Sequence, residues 1–168
     1  MARHPHLDNP DPTPAEVHAH AAAARARKQA EAAAIGIDQA FVARLVDSFY
    51  ARIRDDALLG PIFAGRITDW PWHLDRMKRF WRSILMNTGE FSGNPMAKHL
   101  AMPGLDEAHF ARWLELFYAT LRDLESDPAA TRLVGTRARM IADSLLTGIT
   151  MREHGLAGGR AGAALPHV

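Results

Sequence analysis

The 168-residue sequence contains no cysteine. That excludes disulfides, thiolate zinc sites, iron–sulfur clusters and a thiol nucleophile together, and it suits a reducing compartment. There is also no uninterrupted run of about 18 apolar residues, the least that a membrane-spanning helix needs. An excess of charge of one sign is missing too. Twenty Lys and Arg stand against 19 Asp and Glu, a formal net charge of +1 with neutral histidine. Such a balance offers no basic surface to nucleic acid and no acidic surplus of the disordered kind. Sustained apolar–polar alternation, internal repeats, phosphate-cradling glycine loops, HExxH and nucleophile-elbow motifs are all missing. The first residues, Met1-Ala2-Arg3-His4-Pro5, carry no apolar stretch of the signal-peptide type. The expected protein is cytoplasmic, with neither a nucleic-acid nor a membrane partner.

What is present is helical periodicity, nine histidines and a stock of large soft apolar side chains: four Trp, seven Phe and seven Met. Residues 1–13 are rich in Pro, His, Asp and Asn and read as a disordered arm. Thr13-Pro14-Ala15-Glu16 is a capping-box helix start, and Ala-rich sequence follows to Ala34, ended by Gly36. Few side chains there are large enough to anchor it, so residues 1–35 are expected to lie outside the core.

From Asp38 the pattern strengthens. Phe41, Val42, Leu45, Val46, Phe49, Tyr50 and Ile53 share one helical face, with Asp38 as N-cap. Asp55-Asp56 opens a short turn of helix carrying Leu58 and Leu59, broken by Gly60-Pro61, with Ile62-Phe63 at a corner. Asp69 caps the next helix, whose apolar face reads His73, Met77, Phe80, Trp81, Ile84 and Leu85. Residues 87–95 form a loop. Pro95 opens a brief helix through His99 that Pro103-Gly104 stops. Asp106 caps a helix with Phe110, Trp113, Leu114, Phe117, Leu121 and Leu124 inward. Asp127-Pro128 begins the last one, which presents Leu133, Val134, Arg137, Met140, Ile141, Leu145 and Ile149 to the core. The Gly-, Ala- and Arg-rich residues 154–168 read as a flexible tail. The expectation is one all-α domain over residues 36–153.

The histidines separate by position. His4, His6, His18, His20, His154 and His167 lie in the arm, the Ala-rich helix or the tail, where a ligand would lack outer support. His109 falls in a first turn and is expected to face solvent. His73 shares an apolar face, where a histidine is ordinarily a core residue satisfied by a hydrogen bond. His99 sits on a very short helix between chain breakers, which contributes little core and is free to serve a site. Taken together, the two flank a loop, so their helices can face each other across a slot. A planar cofactor needs such a slot, with an axial ligand and apolar walls. Tyr50 and Trp113 bring an O–H and an N–H into apolar faces, where each wants an acceptor.

Residues 45–63, from Leu45-Val46-Asp47-Ser48-Phe49-Tyr50 to Gly60-Pro61-Ile62-Phe63, resemble the opening of the truncated hemoglobins. His73 with Phe80-Trp81, Gly93-Asn94-Pro95-Met96-Ala97-Lys98-His99, and Phe110-Ala111-Arg112-Trp113 resemble the third group of that family, which like this chain lacks paired-glycine motifs. The similarity spans about residues 35–152. It implies a globin-like two-over-two helical sandwich around haem b, with His99 as the proximal iron ligand and Tyr50 and Trp113 as distal donors. By the same resemblance Phe63 packs on the haem ring, His73 stands at the distal entrance and Met77 lies near the iron. Trp81 lines the cofactor, and Arg76 and Lys98 meet its propionates. The implied partners are O2, NO and CO. Nitric-oxide oxidation or peroxide chemistry on this scaffold requires an external reductase. A cofactor-free helical interaction module, docking through Arg25, Arg27 and Lys28, is the reading that does without haem.

Overall fold

A computed structural model describes residues 11–155 and 161–168. Residues 1–10 of the arm expected over 1–13, and the glycine-rich stretch 156–160, lie outside the described residues. Seven α-helices and no strand occur among those described: α1 (Pro14–Ala34), α2 (Gln39–Asp55), α3 (Gly60–Ala64), α4 (Trp70–Met86), α5 (Pro95–Leu100), α6 (Glu107–Asp123) and α7 (Pro128–His154), followed by a short 3-10 helix at Ala161–Ala164. The fold is all-α and globin-like, as the sequence leads one to expect.

The helix starts follow from local chemistry. Except at α3, each N-cap side chain accepts from a backbone N–H that has no partner inside its helix. Thr13 accepts from Glu16 N, which closes the capping box on α1. Asp38 serves Phe41 N at 2.7 Å, Asp69 serves Trp72 N at 2.9 Å, and Asp127 serves Ala129 N at 2.7 Å. His109 is not turned to solvent. Its Nδ1 lies 2.7 Å from Asp106 Oδ1, and the pair forms the capping box of α6.

Helix α2 buries the seven residues its periodicity singles out: Phe41, Val42, Leu45, Val46, Phe49, Tyr50 and Ile53. It packs on α4 and α6, and α6 packs on α7, which yields two pairs of helices laid over each other. Phe41, Phe49, Leu45, Leu114, Phe117 and Leu121 fill the space between them. Each such side chain contributes about 1.5–3 kcal/mol when removed from water.

Three segments depart from expectation. Gly60-Pro61 starts a helix instead of breaking one, because Pro is pre-set for the first helical turn. Gly60 is needed there, since a Cβ would stand 2.8 Å from the Arg54 carbonyl oxygen. Helix α7 is turned relative to its most apolar stripe. Leu133 and Met140 are 41% and 52% exposed, Arg137 is exposed, and Ala130, Val134, Ala138, Ala142, Leu146 and Ile149 face inward. Small residues let neighbouring backbone approach, and the C-terminal segment makes use of this. Val168 lies over Gly135, Leu165 is 2% exposed, Tyr118 Oη donates to Pro166 O at 2.8 Å, and Arg139 donates to Leu165 O at 3.3 Å. Residues 161–168 are therefore docked on α6 and α7, where the sequence suggests a flexible tail.

Helix α1 touches the body only near its end. Residues 14–27 are exposed, Ala32 is buried, and Lys28 Nζ donates to Ile84 O at 3.4 Å. That carbonyl belongs to the last turn of α4, where no intrahelical donor remains and a cation is favoured.

Candidate cofactor site

Helix α5 is six residues long and fully buries none of them. Asn94 caps it by accepting from Ala97 N at 2.9 Å. Within it, His99 Nδ1 lies 2.7 Å from the Pro95 carbonyl oxygen. A carbonyl can only accept, so Nδ1 carries a proton, and in the neutral ring the lone pair is on Nε2, the arrangement a metal-binding imidazole requires. The bond alone is not diagnostic, because His18 and His20 make the same contact to Pro14 O and Glu16 O on exposed α1. The setting differs: His99 is half-buried, and its ring lies 6.4 Å from that of buried Phe110 on α6.

One turn further along α6 comes Trp113. It stacks on Phe117 at 5.2 Å and meets Phe49 edge-on at 5.2 Å. Phe49 in turn meets Tyr50 at 5.0 Å. Tyr50 is surrounded by Phe63 at 5.9 Å, His73 at 5.1 Å and Trp70 at 6.3 Å, all edge-on. The structure thus gathers Tyr50, Phe63 and His73 into one cluster, with Trp113 joined to it through Phe49. Helix α6 runs from this cluster to the neighbourhood of His99, since Phe110 and Trp113 are three residues apart and so on one face.

One polar atom of the cluster lacks a protein partner. His73 Nε2 is fully enclosed with no hydrogen bond. Burial, and then the Arg76 charge, hold the His73 ring below the usual histidine pKa, so it is neutral at pH 7. Tyr50 is 5% exposed, and burial drives its pKa far above that of an ordinary phenol. Its hydroxyl therefore keeps its proton and can donate. Enclosed nitrogens without a partner are rare in folded proteins and cost about 1–3 kcal/mol each unless a ligand or water completes them.

A cavity of about 520 Å³ opens between α4 and α7, reaching α1 and α5. Phe80, Ile84, Pro95, Ile141 and Leu145 supply its apolar walls, and Lys28 and Arg137 lie at its edge. It adjoins the His99 helix through Pro95 but is not lined by His73 or His99 themselves. Phe80 faces this space, whereas its neighbour Trp81 is 2% exposed and stacks on Phe117 at 5.1 Å. Trp81 is thus a back wall of the core, with little surface left for a cofactor. Arg76 does not reach outward freely either. Its guanidinium lies over Phe91 at 4.9 Å and Trp72 at 5.4 Å, and Nη2 donates to Ser92 O at 3.4 Å. Lys98 is exposed, and Met77 is half-buried against the core.

No family model matches the chain. The group 3 truncated hemoglobin ctb of Campylobacter jejuni is 34% identical over 110 residues, 63% of this chain and 86% of that protein. The chain belongs to the group 3 truncated hemoglobins. The crystal structure of group III truncated hemoglobin from Campylobacter jejuni agrees with a TM-score of 0.63 at 32% identity, covering 67% of this chain and 91% of the other. A group 1 truncated hemoglobin, GlbN of a Nostoc species, is 35% identical over a shorter stretch, 43% of this chain and 59% of that protein.

Two features of this truncated hemoglobin are not part of the sequence reading. Arg82 and Glu90 clamp the end of α4 to the loop that leads to α5, and Phe91 N donates to Ser83 Oγ at 3.0 Å beside them. Arg152 on α7 reaches Leu100 O, a contact across 52 residues. An acid eight residues after an Arg hints at the first, and nothing local hints at the second.

Proposed function

We propose that this truncated hemoglobin holds haem b through His99 and takes O2, and with it NO and CO, on the side where Tyr50, His73 and Trp113 gather. The observation that carries this reading is the enclosed, unpartnered Nε2 of His73 beside a Tyr50 hydroxyl that keeps its proton. Together with an imidazole whose Nδ1 proton is already committed, these donors and acceptors suit a haem that His99 would hold and a gas that Tyr50 and His73 would meet. When bound, the haem would supply an iron able to take a diatomic ligand.

The remaining work falls to side chains. The Pro95 carbonyl fixes the His99 tautomer and ring orientation and makes Nε2 the more basic atom. Tyr50 offers a buried O–H and Trp113 an indole N–H, and a bound gas would be their acceptor. Each such bond is worth about 1.5–3 kcal/mol. Two of them slow release by orders of magnitude, which favours tight capture over bulk delivery. Phe63 and Met77 provide apolar contact, Lys98 a cation for the haem carboxylates, and Trp81 a rigid backing; Arg76 would have to leave Phe91 and Ser92 to join Lys98.

Absorption spectra of the oxidised, reduced and CO-bound protein test the reading, together with His99→Ala. A Soret band that His99→Ala abolishes or changes in the ferrous form is expected. A colourless protein that gains no stability from added haemin would instead point to the cofactor-free module.

A further inference from the structure

Helix α5 is too short to hold its own shape in water, because a six-residue helix forms one or two internal bonds for the cost of nucleating. Something else must fix where His99 points. Two residues of α7, four apart and hence on one face, bracket it. Met96, three residues before His99, lays its thioether on Gly148, where a Cβ would stand 2.5 Å from the sulfur. Leu100, the residue after His99, accepts from Arg152 Nη1 at 2.8 Å through its carbonyl oxygen. That carbonyl is one of the last in α5 and has no donor inside the helix, so a guanidinium suits it in hydrogen bonding and in charge.

We infer that Arg152, with Gly148 as the seat of Met96, is a positioning residue for His99: α7 sets the height and tilt of the imidazole. The inference rests on the proposed role of His99 in binding haem. Arg152 acts through the backbone of α5, by its bond to the Leu100 carbonyl oxygen.

The test uses the full-length haem-loaded protein, reduced and free of gas. Resonance Raman reads the iron–histidine stretch, and transfer of haem to excess apomyoglobin reads its loss. Arg152→Ala should shift the stretch and speed haem loss by about tenfold, the low end for outer supports of a metal ligand. Arg152→Lys should restore part of both, and Arg132→Ala, an exposed change on the same helix, should alter neither. Gly148→Ala should unseat Met96 and shift the stretch, but have no further effect once Met96 is already Ala. The two α7 sites give independent readings should one variant fold poorly. An Arg152→Ala protein that melts earlier but keeps the wild-type stretch and haem-loss rate overturns the inference. A wild-type protein with no iron–histidine stretch, or one that survives His99→Ala, overturns the haem assignment instead.

Discussion

Arg82 and Glu90 meet through two parallel hydrogen bonds of 2.8 Å, Nε to one carboxylate oxygen and Nη2 to the other. This fork ties the last turns of α4 to the loop that delivers α5. The Arg82 bond, with help from Thr88, holds the Glu90 carboxyl at about 2, against an ordinary value of 4.5. A depressed carboxyl stabilises the native state above its unfolded pKa, and the contribution fades as the pH falls toward the folded one. Thermal melts should therefore show Glu90-dependent stability that is complete above about pH 4.5 and shrinks between 4.5 and 2. Glu90→Gln should flatten that part of the curve; an unchanged acid limb would mean the fork contributes nothing.

Tyr50→Phe keeps the buried ring and its edge contact with Phe49 but removes the only O–H in the cluster. Loss of a bond worth about 1.5–3 kcal/mol corresponds to O2 dissociation roughly 10- to 100-fold faster. Stopped-flow displacement of O2 by CO measures it. An unchanged rate would remove Tyr50 from the distal role.

His73→Leu should stabilise the haem-free protein. The enclosed Nε2 has no partner there, and an apolar side chain of similar size relieves a cost of about 1–3 kcal/mol. Urea unfolding of the apoprotein reads the sign directly, and a loss of stability would show that the nitrogen is satisfied.

The docked C-terminal segment predicts two further costs. Leu165 is 2% exposed, so Leu165→Ala should destabilise by about 2–5 kcal/mol, as for other large-to-small core changes. Tyr118→Phe, which deletes the bond to Pro166 O, should cost about 0.5–1.5 kcal/mol. Both are measurable by denaturant titration, and neutral results would mean that residues 161–168 swing free in solution.

Much of this could be read from the sequence because it is local. An Asp that caps a helix needs only the next three residues, so Asp38, Asp69, Asp106 and Asp127 mark helix starts unaided. The seven-residue face of α2 is equally self-contained. Helix α7 defeats the same reasoning, because its inner face is built from Ala130, Gly135, Ala138 and Ala142, which hydrophobicity ranks below Leu133 and Met140. What decides there is how closely another segment approaches. At the site, periodicity assigns Phe80 and Trp81 to one face, and only packing sends Trp81 into the core and Phe80 toward the cavity. His99 stands out by its place between breakers and by family resemblance, whereas its supports on α7 lie some fifty residues away.

The attachment of α1 has a mechanical side. The helix has 21 residues, about 31 Å at 1.5 Å per residue, and its exposed first two-thirds overhang one polar foothold among the described residues, Lys28 on Ile84 O. It is a lever with its fulcrum at the end. A load on the far tip is delivered to the last turn of α4, next to Ser83 and Arg82, and these two residues grip the loop that carries the chain to His99.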